Sequence, residues 1–248
     1  MSVPQGAQSP LSNRLLSALP KQSYERLLPH LQPVSLRLGE ILCEAGETFA
    51  HGWFITRGVA SMLSTTFGGD TVEVGMVGNE GLVGLPILLR SSHLPYRVMV
   101  QLSGEAYRVP MEVLQREFNS GAALHDLLLR YTYALIVQFT QSGVCNHFHT
   151  IEERFCRWLL ILRDQAGNDT VNLTQELTAS MLGVRRTGVS LVAGRLQAAG
   201  LIRYRRGRIT ILDPQGLETS ACECYGIVRN EYEQLFAPEK RLTDSHSV

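Results

Sequence analysis

The chain changes texture at Pro110, and this change limits what it can fold into more than any single motif does. From Val34 to about Pro110 it consists of short apolar or alternating runs, such as 53-WFITRG-58, 72-VEVGMVG-78 and 97-RVMVQL-102. Turn signals at Gly39-Glu40, Gly46-Glu47 and Gly68-Gly69-Asp70 separate them. Many short strands at this spacing predict an antiparallel sandwich or barrel, with a mixed sheet as the plainer alternative. After Pro110 the turn signals stop. Residues 111–119 read as a short helix, and from Gly121 to Asn146 there is no proline and a single internal glycine, Gly143. A β-rich half followed by long helix predicts an α+β chain.

Leu124, Leu128, Tyr131 and Leu135 alternate in steps of four and three, the seam spacing of a paired helix. A dimerisation helix over 121–149 is therefore expected on these four residues, and packing against the sheet explains the same pattern nearly as well. Thr150 and Glu153 have capping-box spacing and predict a new helix running through 155-FCRWLLIL-162 to Gly167. The domain boundary falls at His149-Thr150. Upstream of the strands, residues 14–32 hold one or two short helices broken at Pro20 and Pro29, and residues 1–13 read as a flexible arm.

Charge is distributed unevenly. The 248 residues carry 23 basic and 23 acidic side chains, yet 177–212 contain seven arginines, no lysine and no acid. The remainder is left with 16 basic and 23 acidic groups, a charge of −7. Within the arginine-rich stretch, Thr174 is an N-cap, Leu177, Met181 and Val184 mark the buried side of a short helix, and Gly183 supplies a sharp turn. A second helix from Arg186 to about Ala199 buries Val189, Val192, Ala193 and Leu196 and exposes Arg186, Thr187, Ser190, Leu191 and Gly194. This is a helix-turn-helix whose second helix offers arginine and small polar groups at its N-terminus. Residues 202–212 then read as two strands around Arg206-Gly207, a wing bearing Arg203, Arg205, Arg206 and Arg208, and Asp213-Pro214 begins a last helix. Solvated faces usually mix both signs of charge, so the pure arginine set predicts contact with double-stranded DNA. The expected DNA-binding residues are Thr174, Arg185, Arg186, Thr187, Ser190, Leu191, Arg205, Arg206 and Arg208.

Over roughly 14–225 the sequence resembles the CRP/FNR superfamily of bacterial transcription regulators. The resemblance rests on 173-LTQELTASMLGVRRTGVSLVAGRLQAAGLI-202 and 206-RGRITILD-213, on the glycine framework from Gly39 to Gly46, on Phe54 to Gly58, and on 80-EGLVG-84. It implies a jelly-roll sensor domain over 14–120 like that which binds cyclic nucleotides, a dimerisation helix over 121–149 and a winged helix-turn-helix domain over 150–248. In cyclic-nucleotide sensors of this type a glutamate holds the ribose and an Arg-Ser or Arg-Thr pair holds the phosphate. Alignment puts Leu85 at the glutamate position and Leu94-Pro95 at the pair, with Arg90 and Arg97 nearby but displaced. Neither leucine serves that chemistry, so cyclic AMP is not the expected effector. In the recognition helix Arg186 matches the family's first arginine, Thr187 replaces its glutamate and Leu191 its second arginine, so the operator of other members is not expected here. The partners implied are DNA with palindromic operators, a second copy of the chain, RNA polymerase and an unidentified effector.

Other chemistries find little support. The 44% hydrophobic and 19% charged composition is that of a soluble globular chain, no apolar run approaches the ~20 residues a membrane helix needs, and the N-terminus lacks a secretion signal. Five scattered cysteines argue against a disulfide framework and for the cytoplasm. The first 42 residues contain no cysteine, which excludes the cluster-binding pattern of the superfamily's oxygen sensors. Cys145 and His149 would share a helix face while His147 points away, so at most two ligands converge and no metal is expected. Cys222 and Cys224, about 200° apart on an expected helix, read as structural. Nucleophile elbow, Walker loop and zincin motifs are absent, so neither catalytic residues nor a cofactor are expected. The competing function is a small-molecule-binding signalling module whose basic C-terminal region contacts protein or RNA.

Overall fold

The computed structural model describes residues 8–91 and 93–237, without the side chain of Ile87. A 3-10 turn at Pro10–Ser12 leads to α1 (Arg14–Ala18), α2 (Lys21–Leu27) and a second 3-10 turn at Leu28–His30. The strands β1 (Gln32–Leu36), β2 (Ile41–Cys43), β3 (His51–Thr65), β4 (Thr71–Val77) and β5 (Leu82–Val83) follow, then the short helix α3 (Leu85–Leu88) and β6 (Arg97–Pro110). These build one antiparallel sheet in the order β1-β6-β3-β4, with β2 added on β6 and β5 on β3. It curls into the jelly roll.

The sequence suggested many short strands, whereas β3 and β6 are long and pair along most of their length. The turn signals at Gly39, Gly46 and Gly68-Gly69 do fall between strands, but Gly58 and Gly104, inside β3 and β6, mark bulges. The register shifts around Gly58, whose φ of 92° suits glycine, and a Cβ at Gly104 would lie 1.9 Å from the carbonyl oxygen of Arg57. The two glycines bend both strands together so that the sheet closes around Phe54, Ile55, Leu82, Val98 and Val100, all buried.

The flexible arm expected over 1–13 is corrected in its second part; residues 1–7 lie outside the described residues. Asn13 is fully buried: its Nδ2 donates to the carbonyls of Ile55 and Gly81, each at 2.9 Å, and its Oδ1 caps α1 by accepting from the Leu16 N–H. A satisfied buried amide of this kind fixes the chain's entry into the roll.

After β6 come α4 (Met111–Asn119) and α5 (Ala123–Phe148), the longest helix. Leu124, Leu128, Tyr131 and Leu135 face the roll and are 0–6% exposed. The Tyr131 hydroxyl accepts from the Leu82 N–H. This corrects the expected dimer seam, since residues already packed inside their own chain have no surface left for a partner. The outward face of α5 instead carries Leu129, Tyr133, Ile136, Val144 and Phe148, all exposed.

Next come α6 (Ile151–Ala166), β7 (Thr170–Asn172), α7 (Gln175–Leu182), α8 (Arg186–Ala198), β8 (Ile202–Arg205), β9 (Arg208–Ile211), α9 (Pro214–Thr219) and α10 (Cys224–Phe236). The capping box forms as the spacing predicts: Thr150 Oγ1 accepts from the Glu153 N–H, and Glu153 Oε2 accepts from the Thr150 N–H at 2.7 Å. Two features cross the boundary it marks. Val59, Leu63, Met76 and Leu102, on the outside of the roll, share one core with Phe155, Trp158 and Leu162 of α6 and with the helices beyond. Moreover, α10 runs back along α5 and inserts Val228, Tyr232 and Leu235 into the sensor core. The C-terminal segment therefore does not pack as one block from 150 onward; residues 238–248 lie outside the described residues.

Candidate nucleic-acid interface

The helix-turn-helix is set by local chemistry at each end. Thr174, with φ −76° and ψ 155°, accepts the Leu177 N–H at 3.1 Å and starts α7. Gly183 adopts the left-handed conformation (φ 62°, ψ 39°), and the N–H of Val184 closes the turn on the Ala179 carbonyl. α8 then begins at Arg186 after an extended Arg185 whose side chain makes no capping hydrogen bond. α8 thus starts without a side-chain cap, and such a helix N-terminus favours an anion. Val189, Val192, Ala193 and Leu196 pack into the core, and Arg186, Thr187, Ser190 and Leu191 project from the other face, Leu191 being 59% exposed.

Two residues that sequence reading passed over hold this face in place. Gln175 accepts the Ser190 hydroxyl at 2.9 Å through its Oε1, tying the first helix to the second and occupying the serine. Gln197 accepts the Tyr204 N–H at 2.8 Å, and the Tyr204 hydroxyl donates to the Leu173 carbonyl, so the wing is fastened at two points. No local pattern marks such glutamines, because their partners are 15 and 7 residues away.

β7, β9 and β8 form the wing as a three-stranded antiparallel sheet. At its tip Arg206 (φ 51°) and Gly207 (φ 73°) are both left-handed, the geometry of a two-residue type I′ hairpin turn. Asn172, Arg203, Arg205, Arg206, Arg208 and Thr210 line a cleft of about 530 Å³ on the wing. All seven arginines of the basic stretch are exposed. Among the described residues only Arg195 meets a carboxylate, Glu152 at 3.5 Å, an exposed pair of little strength. The other six keep their full charge available, an arrangement suited to an array of phosphates.

Among the described residues, the sensor domain offers no comparable polar site at the position expected for a cyclic nucleotide. The cavity inside the roll has a volume of about 10 Å³ and is lined by Met62, Leu82, Leu85, Leu94, Tyr96 and Leu135 among others. Leu85 and Leu94 fill it and are almost fully buried. Arg97, the nearby cation, points away to Glu44 at 2.7 Å, and Arg90 is exposed. By this measure a single water needs roughly 10–15 Å³, so a nucleotide could enter only by displacing these leucines.

The cysteine expectations need correction. Cys145 and His149 do share a face of α5 while His147 is exposed. The second pair is not on one helix, however: Cys222 lies in the bend before α10, so the 200° separation does not apply. Both side chains turn to the same side and meet the first pair, so more than two candidate ligands converge.

Comparison with known proteins gives a consistent outcome. Residues 33–120 match the cyclic nucleotide-binding domain family, and residues 153–220 match the Crp-like helix-turn-helix domain family. Among solved structures, FixK2 from Bradyrhizobium japonicum superposes with a TM-score of 0.67 at 14% identity, covering 77% of this chain and 98% of its own. CLP of Xanthomonas campestris, a c-di-GMP-responsive global regulator, gives 0.63 at 18%, covering 77% and 99%. A putative CRP/FNR-family transcriptional regulator from Eubacterium rectale gives 0.62 at 18%, covering 84% and 97%. Among curated proteins no sequence matches the chain.

Proposed function

The chain belongs to the CRP/FNR superfamily of bacterial transcription regulators, and from that premise we propose that it binds palindromic operators as a homodimer without using a cyclic mononucleotide as its signal. It is a DNA-binding transcription regulator and not an enzyme. Members of the superfamily bind DNA and form dimers. The observation that carries the reading is the unpaired arginine array on α8 and the wing. Arg186, at the first position of α8, is proposed to pair with a guanine edge, with Thr187 and Leu191 beside it. Arg205, Arg206 and Arg208 on the wing, together with Arg185, take phosphates, and Thr174 positions α7 over the backbone.

The outward stripe on α5 is the proposed dimer contact. Tyr133 and Ile136, 59% and 55% exposed, sit at its centre, and an apolar stripe of this length on a helix invites a second copy. Leu129, Val144 and Phe148 extend it toward both ends. A two-fold axis along α5 would set two copies of α8 about one turn of DNA apart.

The signal is proposed to enter elsewhere than the collapsed cavity of the roll. A cleft of about 740 Å³, in the range of small-molecule sites, opens between Arg14, Glu80, Arg163, Asp164, Arg229 and Tyr232, where roll, α6 and α10 meet. RNA polymerase is proposed as a further partner on family membership. Among the described residues no helix is long and apolar enough to cross a membrane, and the cytoplasm is proposed as the site of a DNA-binding role. Selection of bound sites from random duplexes tests the reading. An enriched two-fold sequence supports it; equal binding of single-stranded RNA and random DNA would favour the module with a basic tail instead.

A further inference from the structure

At the junction of sensor and DNA-binding domains, four side chains that the DNA-binding role does not use come together from two distant stretches of chain. Cys145 lies in the last turn of α5 and His149 is its C-cap. Cys222 lies in the bend after α9, and Cys224 is the first residue of α10. The three Sγ atoms and a ring nitrogen of His149 all lie within 4.8 Å of one another. Cys145 Sγ is 3.5 Å from Cys222 Sγ, and Cys224 Sγ is 3.7 Å from His149 Nδ1. We propose that Cys145, His149, Cys222 and Cys224 form a tetrahedral site for a single Zn²⁺ ion that ties α10 to the end of α5.

Geometry supports one ion rather than a cluster. With zinc–sulfur bonds of about 2.3 Å, the edges of a tetrahedron are roughly 3.8 Å, close to the two separations above. An iron–sulfur cluster places several inorganic atoms between its thiolates and would hold them farther apart. The ligand type agrees as well: three thiolates and an imidazole form a closed set of the kind found in structural zinc sites.

The surroundings have the charge and the hydrogen bond that such a site needs. Arg157 is 7% exposed, and its Nε has no hydrogen-bond partner. Its charge acts on all three of these cysteines. Glu73 is a carboxylate that also feels this cation, and three neutral thiols would add nothing to offset it. Zn²⁺ with three thiolates and a neutral histidine carries −1, which Arg157 balances. On the far side of the ring, His149 Nε2 lies 3.3 Å from Glu223 Oε1. A proton held there by the carboxylate leaves Nδ1 free as the ligand, the outer-shell arrangement that orients metal-bound histidines. A simple Cys145–Cys222 disulfide would account for neither Cys224, nor His149, nor Arg157.

The test uses the full-length protein, purified reduced and stripped of metal, with Co²⁺ as the probe. We expect one equivalent to bind, with the strong visible absorption of tetrahedral thiolate-bound cobalt, and Zn²⁺ to displace it. The Cys156→Ser variant should behave as wild type. The double variant Cys222→Ser/Cys224→Ser, checked for fold by circular dichroism, should bind at least ~100-fold more weakly. Weak octahedral cobalt bands, no stoichiometric uptake by the reduced wild type, or wild-type uptake in the double variant would each overturn the site. The wild-type titration decides the matter even if the double variant does not fold.

Discussion

The indole Nε1 of Trp158 donates a 2.9 Å hydrogen bond to Oε1 of Glu73, joining α6 of the DNA-binding half to β4 of the roll. The other carboxylate oxygen, Oε2, is buried without a partner. Burial raises the Glu73 carboxyl from 4.5 to about 7, against the smaller opposing influences of the nearby Ser61, Trp158 and Arg157. A carboxyl raised in the folded state holds its proton longer there than in the unfolded chain. Stability is thus lost as pH rises from about 4.5 to about 7, and stays lost above. Glu73→Gln keeps an acceptor for Trp158 and removes the charge. It should stabilise the protein by about 1–3 kcal/mol at pH 8 and leave it unchanged near pH 4.5. Thermal melts at both values check this; an equal effect at both would show that the charge is not responsible.

The two faces of α5 should respond differently to the same substitution. Ile136→Asp, on the outward stripe, should yield a folded monomer with weakened operator binding. Leu128→Asp places a charge in the sensor core and should abolish folding, at a cost of several kcal/mol. Light scattering with circular dichroism distinguishes them, and a dimer that survives Ile136→Asp would exclude this stripe as the contact.

Cyclic AMP and cyclic GMP should show no saturable micromolar binding by calorimetry, because Leu85 and Leu94 fill the roll. Saturable binding accompanied by a change in DNA affinity would mean that the cavity opens.

The arginines should divide into two groups. Arg186→Ala should cost ~1–3 kcal/mol and relax preference at one base pair in each half-site. Arg206→Ala should weaken specific and random DNA alike and lower the salt slope by ~1 per lost contact in each half-site. Competition assays over a salt series measure both. The converse pattern would require another placement of helix and wing.

What was legible in the sequence was what a few neighbouring residues decide. Thr150 with Glu153, Thr174, Gly183, Arg206 with Gly207, and Asp213 before Pro214 each fix a cap or turn through bonds spanning a few residues, and each appears where its chemistry requires. Long-range choices were not legible. α5 has apolar residues on two faces, so the spacing of Leu124, Leu128, Tyr131 and Leu135 cannot say which face meets the sheet. Tyr232 reaches the sensor core, and Cys222 meets Cys145 across 77 residues, only because α10 turns back along α5. Asn13 looked like part of an arm because its carbonyl partners, at Ile55 and Gly81, lie 42 and 68 positions away.

The exposed arginines of α8 and the wing belong to a chain whose formal net charge is zero. The molecule is therefore a large electric dipole, positive at the reading head and negative over the rest. Near a polyanion such a body feels a torque before it makes any contact: the field turns the head toward the duplex and pushes the sensor half away. Encounters are thus oriented in advance, which raises the fraction that succeed, and the benefit fades as added salt shortens the reach of the field.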